Sequence, residues 1–74
     1  KNARKPALEG WRQYRGNDRP KEGDRIVNVY GKAGVVSSVR KGSEVPFRVI
    51  WESGTSAAYS FKDLQDLEVR YERD

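Results

Sequence analysis

The chain reads as all-β, with five short strands closing into a small barrel, one helical turn before the last strand and an irregular N-terminal arm. Three observations lead there. In Phe47-Arg48-Val49-Ile50-Trp51 the residues Phe47, Val49 and Trp51 fall on one side of an extended segment, with Arg48 and Ile50 on the other. Aromatic and β-branched residues at period 2 mark a strand with one face in a core. Next, Glu52-Ser53-Gly54-Thr55 supplies turn chemistry, and Ala57, Tyr59 and Phe61 alternate after it, so the two runs form a hairpin. Finally, the chain has 74 residues, 35% hydrophobic and 35% charged. So small a core is marginal, and closure is the usual way for short strands to lose their exposed edges.

In chain order, Lys1 to Glu9 has few apolar residues and a proline, and reads as a flexible basic tail. Gly10 to Gly16 interleaves Trp11 and Tyr14 with Arg12 and Arg15, and Asn17 to Asp24 is loop by composition. Arg25 to Tyr30 is the first strand, and its apolar residues on both faces suit a strand that curves. Gly31-Lys32-Ala33-Gly34 turns the chain, its glycines permitting a close or bulged approach. Val35 to Arg40 is the second strand, with Ser37 and Ser38 facing out or bulging, and Lys41 to Glu44 is a charged loop. After the hairpin, Lys62 to Leu67 reads as a helical turn whose Leu64 and Leu67 plug the barrel. Glu68 to Tyr71 is the last strand. The expected division is a basic aromatic arm over 1–22, the barrel over 23–71 and a frayed end over 72–74.

Composition removes several function classes. With no Cys and no His, disulfides, thiolate metal sites and the commonest general base are absent. The acidic pairs Asp63/Asp66 and Glu68/Glu72 sit in or next to solvated turns with no nucleophile or base beside them, so the chain is read as non-enzymatic. No cofactor, metal or small-molecule substrate is expected. Gly31-x-x-Gly34 lacks the helix and the Lys-Ser/Thr of a phosphate-binding loop. No apolar run approaches the roughly 18 residues of a membrane span, and no signal-peptide core is present, so no membrane partner is expected. An intracellular setting, cytoplasmic, nucleoid or nuclear, is the corresponding expectation. The start at Lys1 is compatible with a processed protein or an excised domain.

Charge is uneven. Residues 1–25 hold eight basic residues against four acidic ones, while residues 26–74 hold seven of each, so the whole excess of +4 lies in the first third.

Gly23-Asp24-Arg25-Ile26-Val27, Gly34-Val35-Val36, Val49-Ile50-Trp51-Glu52-Ser53-Gly54, Tyr59 and Asp63-Leu64 together resemble the SH3-like small barrels, above all the Tudor, KOW-type and mind-bomb-type modules. The likeness covers about residues 23–70, and Trp11 to Arg25 matches none of them. It implies fold more than function, since such barrels bind DNA, RNA, methylated peptides and plain protein surfaces.

Two binding readings follow. The first is contact with the backbone of DNA or RNA. Here Arg12, Arg15, Arg19, Lys21, Arg40 and Arg48 meet phosphates, Lys32 and Lys41 add charge, and Trp11 or Tyr14 stacks on bases. The alternative is a protein-interaction module of a larger complex, working through a strand edge, exposed aromatics or a peptide-binding or methyl-lysine cage. The resemblance implies such a cage from Tyr30, Trp51, Tyr59 and Phe61, with Glu52 as an acidic partner. Against both stands a plainer account, in which Trp11 and Tyr14 cover an open end of the barrel and the arginines only solubilise it.

Overall fold

The computed structural model describes residues 10–73; the expected basic tail Lys1–Glu9 and Asp74 lie outside the described residues. Five strands, β1 (Arg25–Val27), β2 (Ala33–Val39), β3 (Phe47–Trp51), β4 (Ser56–Tyr59) and β5 (Arg70–Glu72), form one antiparallel sheet in the order β4-β3-β2-β1-β5. A single helix, α1 (Phe61–Asp66), links β4 to β5. The two end strands do not pair with each other. The expected closed barrel is therefore not completed by main-chain bonds, and the sheet keeps two edges.

Strand pairing sorts the side chains as the alternation requires, because opposite residues in an antiparallel ladder share a face. Val36 faces Val49, Ile26 faces Gly34 and Tyr71, and Phe47 faces Tyr59, all on the inner side. The core comprises Tyr14, Ile26, Val36, Phe47, Val49, Trp51, Leu64, Val69 and Tyr71, with Tyr59, Phe61 and Leu67 packed against it. Gly34 is required by the packing. A Cβ there would stand 2.8 Å from the Trp51 ring and 2.9 Å from the Ile50 carbonyl oxygen, so the anticipated close approach is made inside β2 and not in the turn before it. The bulge falls between Val36 and Ser38.

Several boundaries differ from those expected, each for a local reason. The first strand stops at Val27 and not Tyr30, because the Asn28 side chain accepts from the Tyr30 and Lys32 main-chain N–H groups at 2.9 and 3.1 Å and closes a turn. Phe61 opens α1 and does not end β4. Ser60 caps the helix by accepting from the Asp63 N–H, while the Asp63 carboxylate accepts from the Ser60 N–H, both at 3.0 Å. Leu64 is fully buried, as a plug should be. The last strand runs from Arg70 to Glu72. Its end, expected to fray from residue 72, is tied down instead: Glu72 pairs with Arg25 at 2.8 Å, and Arg73 enters the polar network described next.

Candidate functional site

The arm packs against the sheet. Arg12 and Tyr71 exchange both main-chain hydrogen bonds, Arg12 N–H donating at 3.0 Å and Tyr71 N–H at 2.7 Å. One residue of the arm thus covers the outer edge of β5. Tyr14 follows on the inner side, 6% exposed, with its ring parallel to that of Tyr71 at 4.0 Å. Its hydroxyl donates to Asp24 at 2.7 Å. Asp24, 1% exposed, also accepts from the Lys21 N–H at 3.0 Å and from Arg73 Nε and Nη2 at 2.8 and 2.9 Å. Arg73 Nη1 reaches Asp18 at 3.3 Å, Arg73 Nη2 donates to the Arg19 carbonyl at 3.2 Å, and the Tyr71 hydroxyl donates to Asp18. This is a charge-assisted clasp in which every buried polar side chain has a partner.

Ionisation follows from these contacts. Burial by itself would raise the Asp24 carboxyl, but hydrogen bonds from Arg73, the Lys21 N–H and Tyr14 outweigh it and hold the group below its ordinary value. The Tyr71 hydroxyl lowers Asp18, against a smaller opposing effect of burial, and Arg73 adds to the lowering. The phenols move the other way: Tyr14 is raised by burial and then by Asp24, and Tyr71 by its bond to Asp18. Depressed carboxyls contribute stability above their unfolded value of about 3.9 and lose it as pH falls through the folded values. Raised phenols contribute below about pH 10 and lose it as pH rises beyond. The unfolding temperature is therefore expected to climb from about pH 2 to pH 5, stay level, and fall above about pH 10. An acid limb that stays flat would show that the clasp carries no linked stability.

The clasp also decides which charges remain for a partner. Arg73, just after β5, pairs with both Asp18 and Asp24, while Arg25 and Lys62 pair with Glu72 and Asp66. Arg12, Arg15, Arg19, Lys21, Arg40, Lys41 and Arg48 have no ion pair among the described residues.

The proposed phosphate contacts divide into three places. Arg19 and Lys21, with Lys41 from the β2–β3 loop, line an open groove of about 640 Å³ together with the carboxylates Asp18 and Glu22 and the apolar Pro20, Val39 and Phe47. On the other side of that loop, Arg40 and Arg48 line a separate notch of about 120 Å³, and the two concavities share Ser43 and Pro46. Arg12 and Arg15 join neither: Arg12 lies over the Tyr71 ring at 5.3 Å, and Arg15 donates to the Gln13 side chain at 3.4 Å. Arg19 is positioned from beneath, its guanidinium 4.1 Å over the Phe61 ring and donating to the Gly16 carbonyl at 2.6 Å.

The aromatic expectations fare differently. Tyr14 cannot stack on a base, because its ring is already sandwiched in the core; that part of the expected site is corrected. Trp11, half-buried, borders a 390 Å³ hollow with Val35 and Ile50 on the outer face of the sheet, whose lining includes neither Arg19 nor Lys21. The four cage candidates are not assembled. Trp51 donates to the Tyr59 hydroxyl at 3.0 Å, the two rings edge to face. Phe61 instead meets Tyr14 and Phe47, and Tyr30, 76% exposed, makes no ring contact among the described residues. Two sequence-distant features were missed: Arg73 as the keystone of the clasp, and the outer edge of β4, which nothing among the described residues covers. No local signal marks Arg73, whose carboxylate partners lie 49 and 55 residues away.

Comparison of the chain with known protein families, curated proteins and solved structures gives no match.

Proposed function

We propose that this chain is a non-enzymatic binding module with an SH3-like arrangement of strands, which holds a nucleic-acid backbone in the groove between the arm and the β2–β3 loop. The observation that carries this reading is the convergence of Arg19, Lys21 and Lys41 on one open groove, where of the two lining carboxylates Asp18 is bound to Arg73 and Glu22 has no ion pair among the described residues. Support for the SH3-like part comes from the meander order with β5 beside β1 and a helical turn before β5.

Cations that are spared by internal pairing are free to displace the counterions of a polyphosphate, which makes affinity salt-dependent. Arg19 meets one phosphate from its platform on Phe61. Lys21 and Lys41 meet others from opposite walls, as mobile point charges. Contacts of this kind set affinity and register but carry no base preference.

Fluorescence anisotropy with labelled duplex DNA, single-stranded DNA and RNA, across a salt series, tests the reading. Three phosphate contacts predict a log–log slope of about −2.7 on duplex or about −2 on single strands. The Lys21→Gln/Lys41→Gln double variant is expected to flatten the slope by about 1.8 on duplex or about 1.4 on single strands. Absence of binding to all three probes at about 50 mM salt would end the proposal.

A further inference from the structure

The two sheet edges are treated differently by the chain. Arg12 occupies the outer edge of β5, whereas nothing among the described residues covers the outer edge of β4. The register fixes what that edge offers. Trp51 N–H donates to the Thr55 carbonyl at 2.8 Å, which makes 51 and 55 a bonded pair. Alternation then directs Ala57 and Tyr59 toward β3 and turns the N–H and C=O of Ser56 and Ala58 outward. The strand itself, Ser-Ala-Ala-Tyr, carries no charge, proline or bulge, the usual means of protecting an edge.

Beside this edge is the arginine notch. Arg48 stands opposite Ala58 on the outer face, and Arg40, Arg48, Ser38, Ser43 and Ala58 share the notch's lining. The Ala58 methyl is too small to separate the notch from the edge, and neither arginine has an ion pair among the described residues.

We infer that β4 receives an extended peptide strand, and that an acidic side chain of this strand, opposite Ala58, seats its carboxylate between Arg40 and Arg48. Alternating donors and acceptors at Ser56 and Ala58 match a polypeptide backbone. A DNA phosphate backbone presents acceptors only, and would leave the two carbonyls facing oxygen. A second copy pairing through its own β4 brings no acid to the notch, because that strand has none. The inference is independent of the groove, whose lining includes neither Arg40 nor Arg48.

The test is an NMR titration of the isotope-labelled chain with two acetylated, amidated pentapeptides, Thr-Val-Glu-Val-Thr and its Gln counterpart. Shifts are expected at Ser56, Ala58, Arg40 and Arg48, with slowed exchange of the Ser56 and Ala58 amides. The Gln peptide should bind up to about fivefold more weakly, as for loss of an exposed charge pair. Ala58→Pro, which deletes an N–H that the sheet does not use, should abolish binding. Arg48→Glu should remove the preference for Glu over Gln, a readout that stands even if the proline variant fails to fold. Equal affinity for the two peptides would overturn the inference, as would shifts confined to other residues or none at millimolar peptide. So would a DNA oligonucleotide that moves Ser56 and Ala58 in the same way, or self-association that Ala58→Pro abolishes.

Discussion

Arg73→Ala is expected to destabilise the fold by about 3–5 kcal/mol, the range for removing one partner of a buried ion pair. Asp24 is 1% exposed and takes two charge-assisted bonds from Arg73. Without the guanidinium it keeps only the Tyr14 hydroxyl and the Lys21 N–H, too few neutral donors for a buried carboxylate. A domain of 74 residues has little stability in reserve, so a large part of the variant population should be unfolded at room temperature. Arg73→Lys keeps the charge but loses the fork and should cost about 1–2 kcal/mol. Urea unfolding followed by the fluorescence of Trp11 and Trp51 measures both. A loss below about 0.5 kcal/mol, the level of an ordinary surface substitution, would mean that the clasp is ornamental. If the proposed function holds, Arg73→Lys should weaken nucleic-acid binding although the charge is kept, because Arg73 also holds the Arg19 carbonyl and so the groove wall.

Tyr71→Ala ranks beside it, at about 3–5 kcal/mol for truncating a buried aromatic. The ring stacks on Tyr14, lies beneath the guanidinium groups of Arg12 and Arg73, and sends its hydroxyl to Asp18. Tyr71→Phe separates these parts. It keeps the stack but leaves Asp18 with Arg73 alone, and should cost about 1–2 kcal/mol. Because Tyr71 and Arg73 share Asp18, their losses should not add. A double-mutant cycle with Tyr71→Phe and Arg73→Lys should give a coupling of about 0.5 kcal/mol or more. Strict additivity would show that the network is merely adjacent contacts.

The central hairpin was legible because its information is local. Phe47, Val49 and Trp51 alternate with Arg48 and Ile50, and the structure buries the first three and exposes the others. Leu64 within a helical turn, and a turn at Glu52 to Gly54, follow equally from nearby residues. Boundaries failed where a side chain overrode propensity, as when Asn28 closed a turn inside an apolar run and Ser60 with Asp63 started a helix at Phe61. The site was half legible. Composition identified Arg19, Lys21, Arg40 and Arg48 as candidate cations, but not that the β2–β3 loop would part them into a groove and a notch. For Tyr14, the period that announces an aromatic face does not say whether the face looks outward, and stacking on Tyr71 turned it in.

By itself, the sequence determined an antiparallel β-rich domain with a positively charged first third and no equipment for metal or general-base chemistry by Cys or His. Alternation, turn residues and composition act over a few neighbours at a time. Only the tertiary structure decided that Arg73 would pair with Asp18 and Asp24, that nothing among the described residues would cover the outer edge of β4, and that Arg40 and Arg48 would line one notch beside it. Those outcomes depend on which strands lie side by side, and side-by-side placement is set by burial of the whole core and not by any single stretch of chain.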